Sequence, residues 1–295
     1  MAKTGLIFEG GGMRGLFTAG VVDALIEKSL HFDNIYGVSA GSCHAISLLS
    51  EQKDRARRVN VDYCTRPDYF GLRCMLREGS MFGWKLIFDE IPNKLDPIDY
   101  DKVWQKIGSL KNDAEKSDGD AAETSAQPRT NFFVTVTNAR TGQAEYIQPQ
   151  NNEELIAVCK ASCSLPFMCK STLINGIPYY DGGIADSIPV RKALEDGCEK
   201  LVIVLTQSEG FQKKPLKHPA LVKLLYQEYP KLTKSLLRRH ENYNESLGIV
   251  RMLEQQGKAI VLRPPQAVNV SRTERNPDRL NVLARTGYEL AMKML

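Results

Sequence analysis

The 295-residue sequence has no run of about 18 uninterrupted apolar residues, so no segment is expected to cross a membrane as a helix. It contains no Cys-x-x-Cys pair, which argues against a zinc ribbon or a thioredoxin-like motif. The seven cysteines (Cys43, Cys64, Cys74, Cys159, Cys163, Cys169, Cys198) are odd in number and lack framework spacing. Free, mostly buried thiols in a reducing compartment are therefore expected. The opening residues MAKTGLIFEGGG hold too short an apolar run for a secretory signal, and a cytoplasmic location is expected. Charge of either sign is scarce in excess. The net value of +4 makes no case for nucleic acid and only weakly favours anionic membrane surfaces.

Apolar residues at 42% and charged residues at 25% are ordinary for a globular chain, and the length can bury a large core. One domain spanning 1–295 is the expectation. Short apolar runs at Gly5–Glu9 and Asn34–Val38 alternate with helical spacing up to about Ser29 and over Ala40–Ser50, the rhythm of a parallel α/β sheet. Helices are expected around Met81–Glu90 and Tyr100–Ile107, and a mobile polar loop over Lys111–Thr130. Strands resume at Phe132–Thr137 and Ala144–Ile147 about a Thr141-Gly142 turn, then at Thr172–Ile174, Pro178–Tyr180, Leu201–Leu205 and Ala259–Leu262. Helices are expected at Glu153–Ser162, through Pro219–Gln256 and across Asp278–Met294.

Three motifs carry chemistry. Gly37-Val38-Ser39-Ala40-Gly41 has the Gly-x-Ser-x-Gly form between a strand and a helix, the context of a nucleophile elbow. Gly37 and Gly41 keep so tight a turn free of clashing side chains. Gly10-Gly11-Gly12-Met13-Arg14-Gly15 can crowd backbone N–H groups round an oxyanion, with Arg14 adding positive charge. The same residues spell G-x-G-x-x-G, so a dinucleotide-binding protein is the alternative. That fold needs an acid at the end of the next strand, whereas Asp33 lies before it. Asp181-Gly182-Gly183 puts a carboxylate at a strand end, where it can serve as a base or simply open a turn. Asp186 is expected instead to cap the helix starting near Pro189. Of four histidines, His31 precedes the elbow strand and His44 is turned off the side of Ser39. His218 and His240 sit in basic, solvated stretches without a motif. A two-residue Ser–Asp site is favoured over one with a histidine.

Together GGGMRG, GVSAGS, DGG and the segment Ala161-Ser162-Cys163-Ser164-Leu165-Pro166 resemble the patatin-like phospholipases. The order and spacing match over most of the chain, and the C-terminal part resembles a bacterial subgroup with a helical tail. The resemblance implies a three-layer α/β/α fold with a mostly parallel sheet. It also implies Ser39 as nucleophile, Asp181 as base, and an oxyanion hole of the Gly11 and Gly12 amides with Arg14. Hydrolysis of lipid acyl esters through an acyl-serine would follow, with no metal or organic cofactor. A thioesterase, an acyltransferase and a non-catalytic scaffold stay open.

Within 206–256, a possible lid, Leu221, Leu224, Leu225 and Tyr226 face Lys223, Lys231, Lys234, Arg238 and Arg239. Packing of these apolar residues on the sheet is the expectation, and peripheral membrane contact the alternative. Oligomeric state is not readable from the sequence.

Overall fold

A computed structural model describes residues 2–108 and 129–295. Its centre is a sheet of eight strands: β1 (Thr4–Phe8), β2 (Asn34–Val38), β3 (Asn131–Asn138), β4 (Ala144–Ile147), β5 (Thr172–Ile174), β6 (Ile177–Asp181), β7 (Lys200–Val204) and β8 (Ala259–Leu262). Hydrogen-bonded neighbours follow the path β5-β6-β3-β2-β1-β7-β8, and β4 also pairs with β3. Strands β1, β2, β3, β7 and β8 run parallel, so the loops after them open at one edge of the sheet. The chain leaves β1 towards β2 on one side and lies against β7 on the other. Such a switch point is where open α/β sheets bind ligands.

The strands read as continuous apolar runs because both faces are covered. Alternate side chains enter separate cores: Leu6 and Phe8 on one face, Ile7 on the other. The first face is packed by α1 (Leu16–Glu27), α2 (Ala40–Leu49), α6 (Asn152–Ser162) and α10 (Pro277–Met294). Between α2 and α6 lie the short α3 (Arg55–Val61), α4 (Leu72–Glu78) and α5 (Tyr100–Ile107). The second face is packed by α7 (Val190–Glu195) and the long α9 (Pro230–Gln255), with α8 (Pro219–Leu225) just before it. This is the three-layer α/β/α arrangement expected.

Most elements lie within two residues of the sequence expectation. The helix expected over Met81–Glu90 is instead a π-helical segment, Leu86–Leu95. Pro92 lies inside it and supplies no N–H to a tighter helical ladder. Of the expected polar loop, 111–128 lies outside the described residues. Thr130 is fixed by its hydroxyl, which donates to Phe32 O at 2.8 Å. Asp186 does not cap α7, whose N-cap is Pro189. Its carboxylate accepts from Tyr146 OH (2.7 Å) and Ile188 N (3.2 Å).

The leucines of α8 depart from the packing expected of them. Val222 and Tyr226 are buried, but Leu221, Leu224 and Leu225 are 50%, 64% and 56% exposed. A helix of seven residues buries only one stripe, and these three lie off it.

The C-terminal helix is locked on by glycine. A Cβ on Gly20 of α1 would stand 1.7 Å from Ala284 O, and one on Gly287 of α10 would stand 2.0 Å from Phe17 O. Gly20→Ala is expected to destabilise the fold by about 2 kcal/mol through overpacking, although alanine ordinarily gains ~1 kcal/mol in a helix. A urea titration should show a lower midpoint at unchanged slope.

Candidate active site

The elbow forms where β2 turns into α2. Ser39 has φ +53° and ψ −128°, a conformation that costs a non-glycine residue roughly 1–3 kcal/mol. The surroundings hold it there. A Cβ on Gly37 would meet Ser42 Cα at 2.5 Å, and one on Gly41 would meet Phe8 O at 2.5 Å. Ser42 secures the turn from inside, its N and Oγ donating to Ser39 O at 2.9 and 2.6 Å. From outside, Ser162 Oγ accepts from Ser39 N at 2.7 Å and donates to Thr135 O at 2.6 Å. The Ala-Ser-x-x-x-Pro block thus ties the elbow to β3.

Asp181 reaches the same place by strand pairing. Thr135 pairs with Val38 of β2 and with Tyr146 of β4, while Val136 pairs with Glu145 of β4 and with Asp181 of β6. Since β4 takes one edge of β3, β2 and β6 must share the other. They meet end to end, β2 arriving parallel to β3 and β6 antiparallel. Val38 and Asp181 therefore face consecutive residues of β3, and Ser39 is the next residue beyond Val38. Asp181 is 2% exposed. Its backbone N donates to Ser164 O (2.9 Å), its carbonyl accepts from Thr137 Oγ1 (2.9 Å), and Oδ1 accepts from Gly183 N (2.8 Å). Among the described residues the Ser39 hydroxyl and the Asp181 carboxylate share no hydrogen bond.

The glycine loop after β1 closes the third side. A Cβ on Gly10 would stand 2.8 Å from Ser39 Cβ, so the loop lies directly against the elbow. Gly12 has φ +55°, and a Cβ there would meet Arg272 O at 2.6 Å. That carbonyl accepts from Met13 N at 3.1 Å, so the segment before α10 clamps the loop from the C-terminal side. The Gly11 and Gly12 N–H groups donate to no acceptor among the described residues. The Arg14 side chain points into a second cavity shared with Gln207 and Arg272. Asp33, the acid a dinucleotide reading would require, sits at the opposite end of the sheet, bound to Thr4 N at 2.7 Å.

Ser39 and Gly12 open onto an apolar cleft whose far wall is Trp84 and the π-helical Ile87, Phe88 and Ile91. Cys43, Cys159 and Cys163 also line it, with Cys43 Sγ 3.8 Å from Cys163 Sγ. Hydrogen bonding from Cys159 and Cys163 holds the Cys43 thiol well below its ordinary pKa.

Residues 6–194 match the family described as Patatin-like phospholipase. The chain belongs to the patatin-like phospholipase family. A second family, described as a domain of unknown function, matches 229–295. The Escherichia coli (strain K12) protein YjjU, described as uncharacterized, is 27% identical over 206 residues, which cover 69% of this chain and 52% of YjjU. This chain thus spans about half the length of that relative. VipD from Legionella pneumophila superposes with a TM-score of 0.48 at 13% identity, over 99% of this chain and 66% of VipD. The type III effector ExoU gives 0.40 at 14%, over 99% of this chain and 53% of ExoU.

Not every residue at this patatin-like site was visible in the sequence. Ser162 appeared only as part of a block, Trp84, Ile87, Phe88 and Ile91 not at all. Pro92 inside an apolar stretch was the available signal for the π segment. Arg272 gave none. His44, expected to face away from Ser39, lines the same cleft, though it makes no hydrogen bond to Ser39 or Asp181. The residue is 2% exposed, and its Nε2, packed towards Gly15, has no hydrogen-bond partner among the described residues. Burial drives its pKa down to about 4. His218 is exposed and His31 is exposed, while His240 Nδ1 lies 3.0 Å from Leu237 O.

The His44 shift has a stability consequence. The unfolded state takes up a proton near pH 6.5 and the folded state only near pH 4, so stability contributed by neutral His44 is lost as pH falls through that window. His44→Gln should shrink the loss between pH 7 and pH 4 by about 3 kcal/mol. Urea unfolding of both proteins at the two pH values checks this.

Proposed function

We propose that this protein is a serine hydrolase of lipid carboxylic esters, of the phospholipase A or lysophospholipase type, working through Ser39 and Asp181. The observation that carries the reading is the end-to-end meeting of β2 and β6 along β3, which brings the elbow serine and a buried carboxylate to neighbouring positions. In the proposed cycle Asp181 takes the Ser39 hydroxyl proton as Oγ attacks the acyl carbonyl. The Gly11 and Gly12 amides, which have no other acceptor among the described residues, hold the oxyanion, with the N-terminus of α2 adding its dipole. Collapse breaks the ester bond, and the leaving alkoxide takes the proton from Asp181. Water then gives its proton to Asp181 while its oxygen attacks the acyl-serine, and the acid departs as Ser39 regains a proton.

The apolar cleft beside Ser39 suits an acyl chain better than a polar one. It also favours hydrolysis over a scaffold role, because a strained serine in a lined cleft is costly to keep without use. A thioester or an acyl acceptor other than water would use the same first step. Ser39→Ala and Asp181→Asn should each abolish turnover of a p-nitrophenyl acyl ester with circular dichroism unchanged, and Ser39→Ala should also lose labelling by a fluorophosphonate probe. Turnover retained by Ser39→Ala would remove the assignment.

Peripheral membrane contact fits the exposed leucines of α8. Phe167, 49% exposed, adjoins them through its edge contact with Tyr226, whose hydroxyl accepts from Phe167 N at 2.8 Å. An exposed apolar group of this kind is what an interfacial enzyme presents to a bilayer. The double substitution Leu221→Glu with Leu224→Glu should weaken co-sedimentation with anionic vesicles at least tenfold, while a water-soluble ester is still turned over. No helix among the described residues is long and apolar enough to cross a membrane.

A further inference from the structure

Behind the glycine loop lies a second cavity of about 210 Å³, several times the ~30 Å³ share of one water. Arg14, Lys213, Arg239 and Arg272 line it, with Lys214 also in its wall, and among the described residues its one carboxylate is Glu9. Glu9 is 3% exposed and already engaged: Oε2 accepts from Thr206 N (2.6 Å) and Thr206 Oγ1 (3.0 Å), and Oε1 from Tyr243 OH (2.8 Å). Among the described residues none of the four cations forms an ion pair with a carboxylate. Arg14 is held by the Gln207 side chain, whose oxygen, in the amide orientation that satisfies both groups, accepts from Nη1 at 2.6 Å. Arg239 Nε donates to Gly183 O, behind Asp181. The Lys213 ammonium rests over the Tyr243 ring, 3.8 Å from its centroid.

Four cations gathered about one carboxylate, none of them in an ion pair among the described residues, repel one another. Burial and the neighbouring Arg239, opposed by Glu9, push the Lys213 ammonium well below its ordinary pKa. Burial and Arg272 bring Arg239 down to about 10. An anion with several acceptor oxygens would relieve that repulsion and accept bidentate guanidinium bonds. Arg272 also lines the apolar cleft, so one residue borders both cavities.

We infer that this cavity is a phosphate site, taking a phosphate mono- or diester. It is built largely by the C-terminal part of the chain: Arg239 and Arg272 fall within 229–295, the stretch matched by a family of unknown function, and Lys213 lies just before it. That stretch thereby acquires a role: it places a phosphate across Arg272 from an acyl chain in the cleft. The inference deepens the hydrolase reading and rests on it for the ester, whereas anion binding itself does not depend on turnover.

Binding is measured first on the Ser39→Ala protein, by calorimetry with inorganic phosphate and with glycerol 3-phosphate. One saturable site is expected, weakening as salt rises, with affinity reduced at least fivefold in Lys213→Gln and in Arg272→Gln and retained in Lys213→Arg. Absence of saturable binding by both probes, or equal binding in the folded glutamine variants, overturns the site. The source of the phosphate is then read on the active protein, comparing a lysophosphatidate with the monoacylglycerol of the same chain. Competition by inorganic phosphate against the first substrate alone assigns the site to the substrate's own head group. An equal effect on both assigns it to a free phosphorylated effector. If neither ester is turned over while phosphate still binds, the hydrolase reading fails and the phosphate site stands.

Discussion

The junction on one edge of β3 is the constraint to which the rest of the site is fitted. A strand has two edges, and β4 occupies one of them over Val134–Thr137. Both β2 and β6 are therefore confined to the other, where their ends must abut. The abutment is tight. A Cβ on Gly182 would come within 2.1 Å of Thr135 O, which is why glycine follows Asp181. Ser162 spans the seam by joining Ser39 N to Thr135 O, so the elbow is tied to the sheet edge. Removing a buried bridging hydroxyl of this kind leaves two polar groups unpaired, each worth about 1–3 kcal/mol.

Strain at Ser39 and freedom of the glycine amides are two sides of the same arrangement. The positive φ of Ser39 aims its side chain away from the strand direction, and the surrounding bonds hold it there. The Gly12 loop would otherwise be loose, but Arg272 O takes up Met13 N and fills the space beside Gly12. The segment that clamps the N-terminal loop comes from the opposite end of the chain. Packing of α10 on α1 through Gly20 and Gly287 anchors that segment.

Polarity is sharply divided about Arg272. On one side the cleft is walled by aromatic and aliphatic residues and keeps His44 neutral by burial. On the other, five lysines and arginines share a cavity with a single committed carboxylate among the described residues. A ligand with an apolar tail and an anionic head would match that division, because each part leaves water for surroundings of its own kind.

Much of this was legible in the sequence. Strand and helix periodicity placed the strands and the longer helices, though not α3 or α4, since buried parallel strands must be apolar throughout and surface helices must show a stripe. Ser39, Asp181 and the glycine loop were legible because their turns admit few residue types. What the linear pattern could not supply was which distant pieces meet. The π segment with its cleft-lining aromatics, the side of α2 on which His44 lies and the exposure of the α8 leucines each depend on what packs opposite. Local composition therefore determined the parts and the sharp turns between them. Only the tertiary structure decided that β2 and β6 share one edge of β3, and that Lys213, Arg239 and Arg272 converge on Arg14, because edge sharing and charge convergence are properties of chain segments brought together from far apart.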